Sequence, residues 1–240
     1  RDGIFDQLIP VAPEKKFKID EQSFFSTLSL GIATNKDTFL YDFSKESLCN
    51  KIESLISFYN SERMKLALNA NYELQTDPTK IVWTDMFKNS AKKQEIFKLD
   101  YSRFVESCYR PFTKQNFIFQ KDLIQRTYQQ LRLFPTGITS NKLICVSGIG
   151  VTKDFSCIIT DQLPDLELIG KSQCFPLYWY EENKNPQATL FDDAETDKYI
   201  RRDGITDWIL KEVRSRFGGS KAITKEHIFY YVYGLLDRKS

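Results

Sequence analysis

Hydrophobic residues recur along this chain with two spacings, one close to helical and one alternating, and the changes of spacing divide it into elements. After Ser44, a residue suited to cap a helix, Leu48, Ile52, Leu55, Ile56 and Tyr59 fall on one stripe. They predict an amphipathic helix with a single buried face, a tendency that runs on to Asn71. Thr84 predicts a second helical start, with Met86, Phe87 and Ala91 turned inward. Ile205, Ile209, Val213 and Phe217 behind a Thr206 cap predict a third, ended by Gly218 and Gly219, and Ile228, Val232, Leu235 and Leu236 after Thr224 predict the last. Other runs are too short for helices and too apolar for a surface. Leu143 to Val146 and Phe155 to Thr160, joined through a tight turn at Ser147 to Gly150, read with Phe175 to Tyr180 as strands at the centre of a sheet. Phe39, Tyr41 and Phe43 alternate with smaller or polar partners as a short strand does, and Phe112, Phe117 and Phe119 read the same way.

Where periodicity fails, the chain reads as connection. Arg1 to Lys18 is broken by Pro10 and Pro13 and is expected to be irregular or edge structure. Asp77–Pro78 marks a break, so a linker near Asn71 to Thr79 separates a connecting segment, residues 1–79, from a core of residues 80–240. The polar and acidic stretch after Glu181 predicts a surface loop. Together these elements predict an α+β fold, with a central mixed sheet flanked by helices and preceded by a helical connecting segment.

Composition adds limits. A chain of 240 residues with 41% apolar and 28% charged residues can bury a sizeable core. Its 34 basic and 32 acidic residues leave a net charge of +2, so any anion-binding face is a local patch balanced by acids elsewhere. Cys49, Cys108, Cys145, Cys157 and Cys174 form no C-x-x-C pair and read as reduced residues of a cytoplasmic protein. Neither a signal peptide nor a run of membrane-spanning length is visible, so no membrane partner is expected.

The candidate chemistry is that of binding. Lys88, Lys92 and Lys93 project from the side of the second helix opposite its apolar residues, where lysines can neutralise phosphates and release counterions. Arg110, Lys114, Gln115 and Asn116 surround the next apolar run and are expected on turns or on its open face. Arginine and lysine pair with guanine and amides with adenine in the major groove. Arg110 suits a structural ion pair equally well. Lys121, Arg126 and Arg132 extend the basic series, and Arg201 and Arg202 are further phosphate candidates. The Ser147 to Gly150 turn lacks the third glycine of a dinucleotide fingerprint and the Gly-Lys-Ser/Thr of an ATP loop, which favours a plain turn. Phe175, Tyr178, Trp179 and Tyr180 are expected to pack in the core rather than stack on bases. Catalytic constellations are missing: His227 is the only histidine, no metal-ligand spacing surrounds it, and no activating base stands near a cysteine. Asn185–Pro186–Gln187 is not the Asn-Pro-Pro-aromatic motif of adenine methyltransferases.

Several phrases, in order, carry a resemblance. VSGIG, FSCIITDQLPDLELIG and QCFPLYWYEE, preceded by SLGIATNKDTFLYDFS and YRPF, resemble the C-terminal DNA-specificity region of type ISP restriction-modification enzymes. The resemblance runs from about Leu28 to Leu236. Those are long single-chain bacterial proteins in which nuclease, helicase-like ATPase, adenine methyltransferase and target-recognition domains follow one another. The chain looks like the last part, and LLDRKS stands where the family continues into a longer tail. The resemblance implies a non-catalytic domain that reads double-stranded DNA beside the methyltransferase domain of the same chain. S-adenosylmethionine, ATP and Mg are implied for the upstream domains only. The near-neutral charge also suits a docking module between methyltransferase and motor without DNA reading of its own.

Overall fold

The computed structural model describes residues 22–136, 139–184 and 198–238. The opening expected to be irregular, Arg1 to Lys18, and residues 185–197 of the loop expected after Glu181, with Asn185–Pro186–Gln187, lie outside the described residues, whereas the two ends of that stretch are strand residues, Glu182 in one and Tyr199–Asp203 in the other. Along the chain, β1 (Ser29–Leu30), α1 (Asp37–Leu40), β2 (Tyr41–Asp42) and α2 (Lys45–Leu68) precede α3 (Asp85–Lys92), β3 (Phe104–Arg110) and β4 (Thr113–Ile118). There follow α4 (Gln130–Leu133), β5 (Leu143–Val146), β6 (Cys157–Thr160), β7 (Leu163–Pro164) and β8 (Gln173–Pro176). The last elements are β9 (Tyr178–Glu182), β10 (Tyr199–Asp203), α5 (Asp207–Arg216) and α6 (Lys225–Asp237).

The class is α+β, in two compact units: Ile32–Thr127, and a second that joins the chain up to Gly31 with the chain from Tyr128 onward. The predicted connecting helix, α2, and the first helix of the predicted core, α3, fall in the same unit. The strand pairs within the units run antiparallel rather than in the mixed arrangement expected. The links Pro111–Phe112 and 147–156 are too short for a parallel crossover, which takes a dozen or more residues.

In the unit from Tyr128 onward the strands lie in the order β1-β8-β5-β6, and β5, apolar throughout, is buried along its length between two partners. Ile144, Val146 and Phe175 pack with Ile209 of α5 and with Ile228, Phe229, Val232 and Leu236 of α6. The expected strand Phe175 to Tyr180 is broken. Leu177 donates its N–H to Lys142 O (2.8 Å) and accepts from Gly204 N (2.7 Å), and a Cβ at Gly204 would lie 1.8 Å from Pro176 O, so only glycine fits there. After this pinch β9 pairs with β10 as a separate ribbon, so that of the aromatic run expected in the core Phe175 lies within it and Tyr178 packs half-buried against it, while Trp179 and Tyr180 are half-buried on the ribbon. The histidine is a cap: His227 Nδ1 accepts from Thr224 N (3.3 Å) while Thr224 Oγ1 accepts from His227 N (3.2 Å).

In the unit Ile32–Thr127, α2 follows the predicted stripe, with Leu48, Ile52, Leu55, Ile56 and Tyr59 buried and Ser44 Oγ accepting from Ser47 N (3.2 Å). Of the strand expected over Phe39 to Phe43, only Tyr41–Asp42 forms, pairing with Phe117 and Asn116 of β4. The Lys36 carbonyl accepts from the N–H groups of Phe39 (2.9 Å) and Leu40 (3.2 Å), which winds α1 and buries both side chains, whereas a strand would send them to opposite faces. Phe43 is left 73% exposed. Tyr59 stacks on Phe97 (centroids 4.0 Å apart, 9° between planes) and packs on Phe87 of α3 (5.6 Å). Thr84 caps α3, its Oγ1 accepting from Phe87 N at 3.4 Å. Thr84→Ala is therefore expected to lower stability by about 1 kcal/mol, measured by urea unfolding.

Candidate nucleic-acid interface

The candidates for DNA contact from Lys88 to Arg126 fall in the unit Ile32–Thr127. The structure gives them unequal parts. In α3, Phe87 and Ala91 are buried while Lys88, Lys92 and, just past its end, Lys93 are exposed. None of these lysines forms an ion pair with a described residue, so their charge is not spent inside the protein. Lys88 and Lys92 border a concavity of about 560 Å³ that Tyr72, Ile81 and Trp83 also line. Its wall is tied down. Buried Glu62 accepts from Lys65 Nζ (2.7 Å), Gln75 N (2.8 Å) and Tyr72 Oη (2.9 Å), and Trp83 Nε1 donates to Gln75 O (2.8 Å). Burial works against the Glu62 charge, but these donors outweigh it and hold the carboxyl below its usual range.

The hairpin behaves differently. Of the two placements expected, turn or open face, Thr113 to Asn116 do not take the turn: they are strand residues, because the turn is Pro111–Phe112, with proline in the position that favours its fixed φ. Strand alternation then separates the amides. Gln115 opposes buried Ser107 on the face that also carries Phe117, while Lys114 and Asn116 lie on the other face. Asn116 Nδ2 donates to Phe43 O (2.9 Å) and to Asp42 O (3.4 Å), holding the entry to α2. That amide is structural. Arg110 forms the ion pair that the sequence allowed, 3.6 Å from Asp37; it also donates to Tyr109 O (2.6 Å) and lies 3.9 Å over the Tyr109 ring. Lys114, Lys121 and Arg126 remain exposed. Of the further candidates outside this unit, Arg132 covers the Trp179 ring (4.5 Å), Arg201 covers Tyr178 (4.4 Å), and Arg202 pairs with Glu181 (3.1 Å).

Sequence reasoning missed the hairpin tip. Phe112 has φ +59° and is 94% exposed. A left-handed backbone costs a residue with a Cβ about 1–2 kcal/mol, and this ring recovers nothing by burial. The signal was available as Arg110-Pro111-Phe112-Thr113 between two strand-like runs. It missed a second residue too: Lys36, 2% exposed, whose Nζ lies 4.1 Å from the centre of the Phe87 ring and meets no hydrogen-bond acceptor among the described residues. Burial pushes its pKa down to about 8.

Among the described residues no group of His, Cys, Asp and Glu could hold a metal, and no helix is long and apolar enough to cross a membrane. In the Ser147 to Gly150 turn, Ser147 N donates to Ser156 O (3.0 Å) and Gly148 N to Gly170 O (2.9 Å). Cys145 and Cys174 lie buried with their sulfurs 3.5 Å apart; that hydrogen bond and burial hold the Cys145 thiol well above its ordinary range, the opposite of an activated nucleophile.

Comparison with known proteins covers the same span. The family model described as the type ISP C-terminal specificity domain matches residues 23–240. A cryo-EM structure of a DrdV–DNA complex is similar over 98% of this chain and 22% of its own, with 29% identity and a TM-score of 0.79. The ATP-dependent type ISP restriction-modification enzyme LlaBIII bound to DNA is 28% identical over 98% of this chain and 14% of its own, with a TM-score of 0.75. A nuclease-deletion mutant of the type ISP enzyme LlaGI, in complex with a DNA substrate mimic, is 26% identical over 90% of this chain and 15% of its own, with a TM-score of 0.69. The chain thus spans less than a quarter of each of these proteins. No curated protein matches it.

Proposed function

We propose, since this chain belongs to the family of type ISP C-terminal specificity domains, that it binds duplex DNA and reads a short target sequence for a longer restriction-modification protein. The observation that carries this reading is the extent of the match, which takes in residues 23–240 rather than one motif. Exposed, unspent lysines on α3 supply a physical means, since phosphate contacts position a protein on DNA and base contacts specify the sequence. In this reading the domain presents a target adenine to a methyltransferase domain of the same chain, which must extrude the base from the stack, and acts in the cytoplasm. Adenine methylation and ATP-dependent restriction, with S-adenosylmethionine, ATP and Mg, belong to other domains.

The test is selection from a pool of random duplexes at several salt concentrations, followed by sequencing of what is retained. One short motif is expected to be enriched, with affinity falling as a steep power of salt, about 0.9 per phosphate neutralised. Retention without enrichment would leave a phosphate-gripping role. Absence of retention at low salt would instead support docking between methyltransferase and motor.

A further inference from the structure

We propose that Phe112, with Pro111 beside it, is a wedge that enters the base stack of duplex DNA and kinks it; this rests on the DNA reading given above. The ring stands at the tip of the β3–β4 hairpin, 94% exposed, on a backbone at φ +59° that glycine would adopt more readily. Folding therefore does not account for a phenylalanine at this position.

The stalk beneath it is built to hold a shape. Tyr41 stacks on Phe117 (4.5 Å, 22°) and touches Tyr109 (4.6 Å), and Tyr109 Oη donates to Asp37 Oδ2 (3.2 Å). Arg110 covers the Tyr109 ring and pairs with the same Asp37, and a shift of register between Cys108 and Arg110 sets the angle of the tip. A rigid two-stranded ribbon ending in proline and phenylalanine presents the residue types that unstack base steps. Exposed Lys114 follows Thr113 close to the tip, and a cation there favours an anionic partner over an apolar one. Lys114 suits a phosphate beside an opened base step.

The experiment uses the whole chain and its selected duplex, labelled at both ends for energy transfer and carrying 2-aminopurine at successive positions. The unaltered chain is expected to brighten 2-aminopurine at one step and to shorten the end-to-end distance. Phe112→Ala and Phe112→Gly are expected to lose both signals and about 10-fold in affinity, while Phe112→Leu keeps the bend and stays within about 3-fold. The thermal midpoint of Phe112→Gly is expected to equal or exceed that of the parent, which separates a lost contact from a lost fold. Ala and Gly variants that bend and bind like the parent would overturn the wedge and leave sequence reading intact. An unaltered chain that binds no duplex at all would overturn both.

Discussion

Replacing Lys88, Lys92 and Lys93 together by glutamine is expected to weaken binding to any duplex by roughly 10²–10³-fold at 0.1 M salt. The magnitude follows from counterion release. Each phosphate neutralised contributes a factor of about [salt]^−0.9 relative to 1 M, close to 8-fold at 0.1 M, and three such contacts multiply. The logarithmic salt slope is expected to become shallower by about 2.7 for the same reason. Selectivity between target and random sequence is expected to stay within about 3-fold, because phosphate contacts carry no sequence information directly. Stability is expected to change by less than about 0.5 kcal/mol, since the side chains are exposed and pair with nothing described. Filter binding across a salt series for parent and variant decides it. An unchanged slope would make α3 an ordinary solvated face, and a slope unchanged together with lost affinity would point to a disturbed fold. Asn116→Ala is the contrast: its amide holds backbone carbonyls of Asp42 and Phe43, so its loss is expected in unfolding rather than in the salt slope.

The difference between those two residues shows what the sequence could and could not convey. Helices were legible because each announces itself twice, by a capping residue and by a stripe. Ser44, Thr84, Thr206 and Thr224 each accept from the N–H three residues on, and the stripe of α2 is buried residue for residue. The β5 run was equally plain, since a run apolar on both faces can only lie inside a sheet. Short elements were not legible. Phe39, Tyr41 and Phe43 alternate as a strand would, but the local acceptor at Lys36 O winds α1, a bond that periodicity does not register. FPLYWY reads as one strand, and only the contact of Gly204 with Pro176 O, far away in sequence, breaks it. For the site, charge and exposure on α3 could be inferred from helical geometry. Which amides the fold consumes depends on strand register, and register is set by partners that local composition does not name.

Lys36 shows the same gap from the side of stability. Lys36→Met is expected to stabilise the unit Ile32–Thr127 by about 1–3 kcal/mol at pH 7, one of the larger gains a single substitution can give. The residue is 2% exposed, its Nζ has no hydrogen-bond partner among the described residues, and burial lowers its pKa from 10.5 to about 8. The unfolded chain therefore holds this proton more tightly than the folded one. Below about pH 8 both states are charged and the full cost of burying the ammonium falls on the folded state, on the order of 3 kcal/mol for a shift of this size. Between pH 8 and 10.5 the folded state releases its proton first, the unfolded state binds more protons, and stability rises. The Phe87 ring 4.1 Å from Nζ offsets part of the cost by roughly 1 kcal/mol, hence the lower end of the range. Methionine fills the same channel with an unbranched apolar chain and loses no polar partner, and the Lys36 backbone N–H keeps its bond to Thr34 Oγ1 (3.1 Å). Urea unfolding of parent and variant at pH 7 and pH 10 is the measurement. The gain is expected to be large at pH 7 and to shrink by more than half at pH 10. A variant less stable than the parent at pH 7 would mean that the ammonium has a partner in solution, and a gain independent of pH would assign the effect to packing alone.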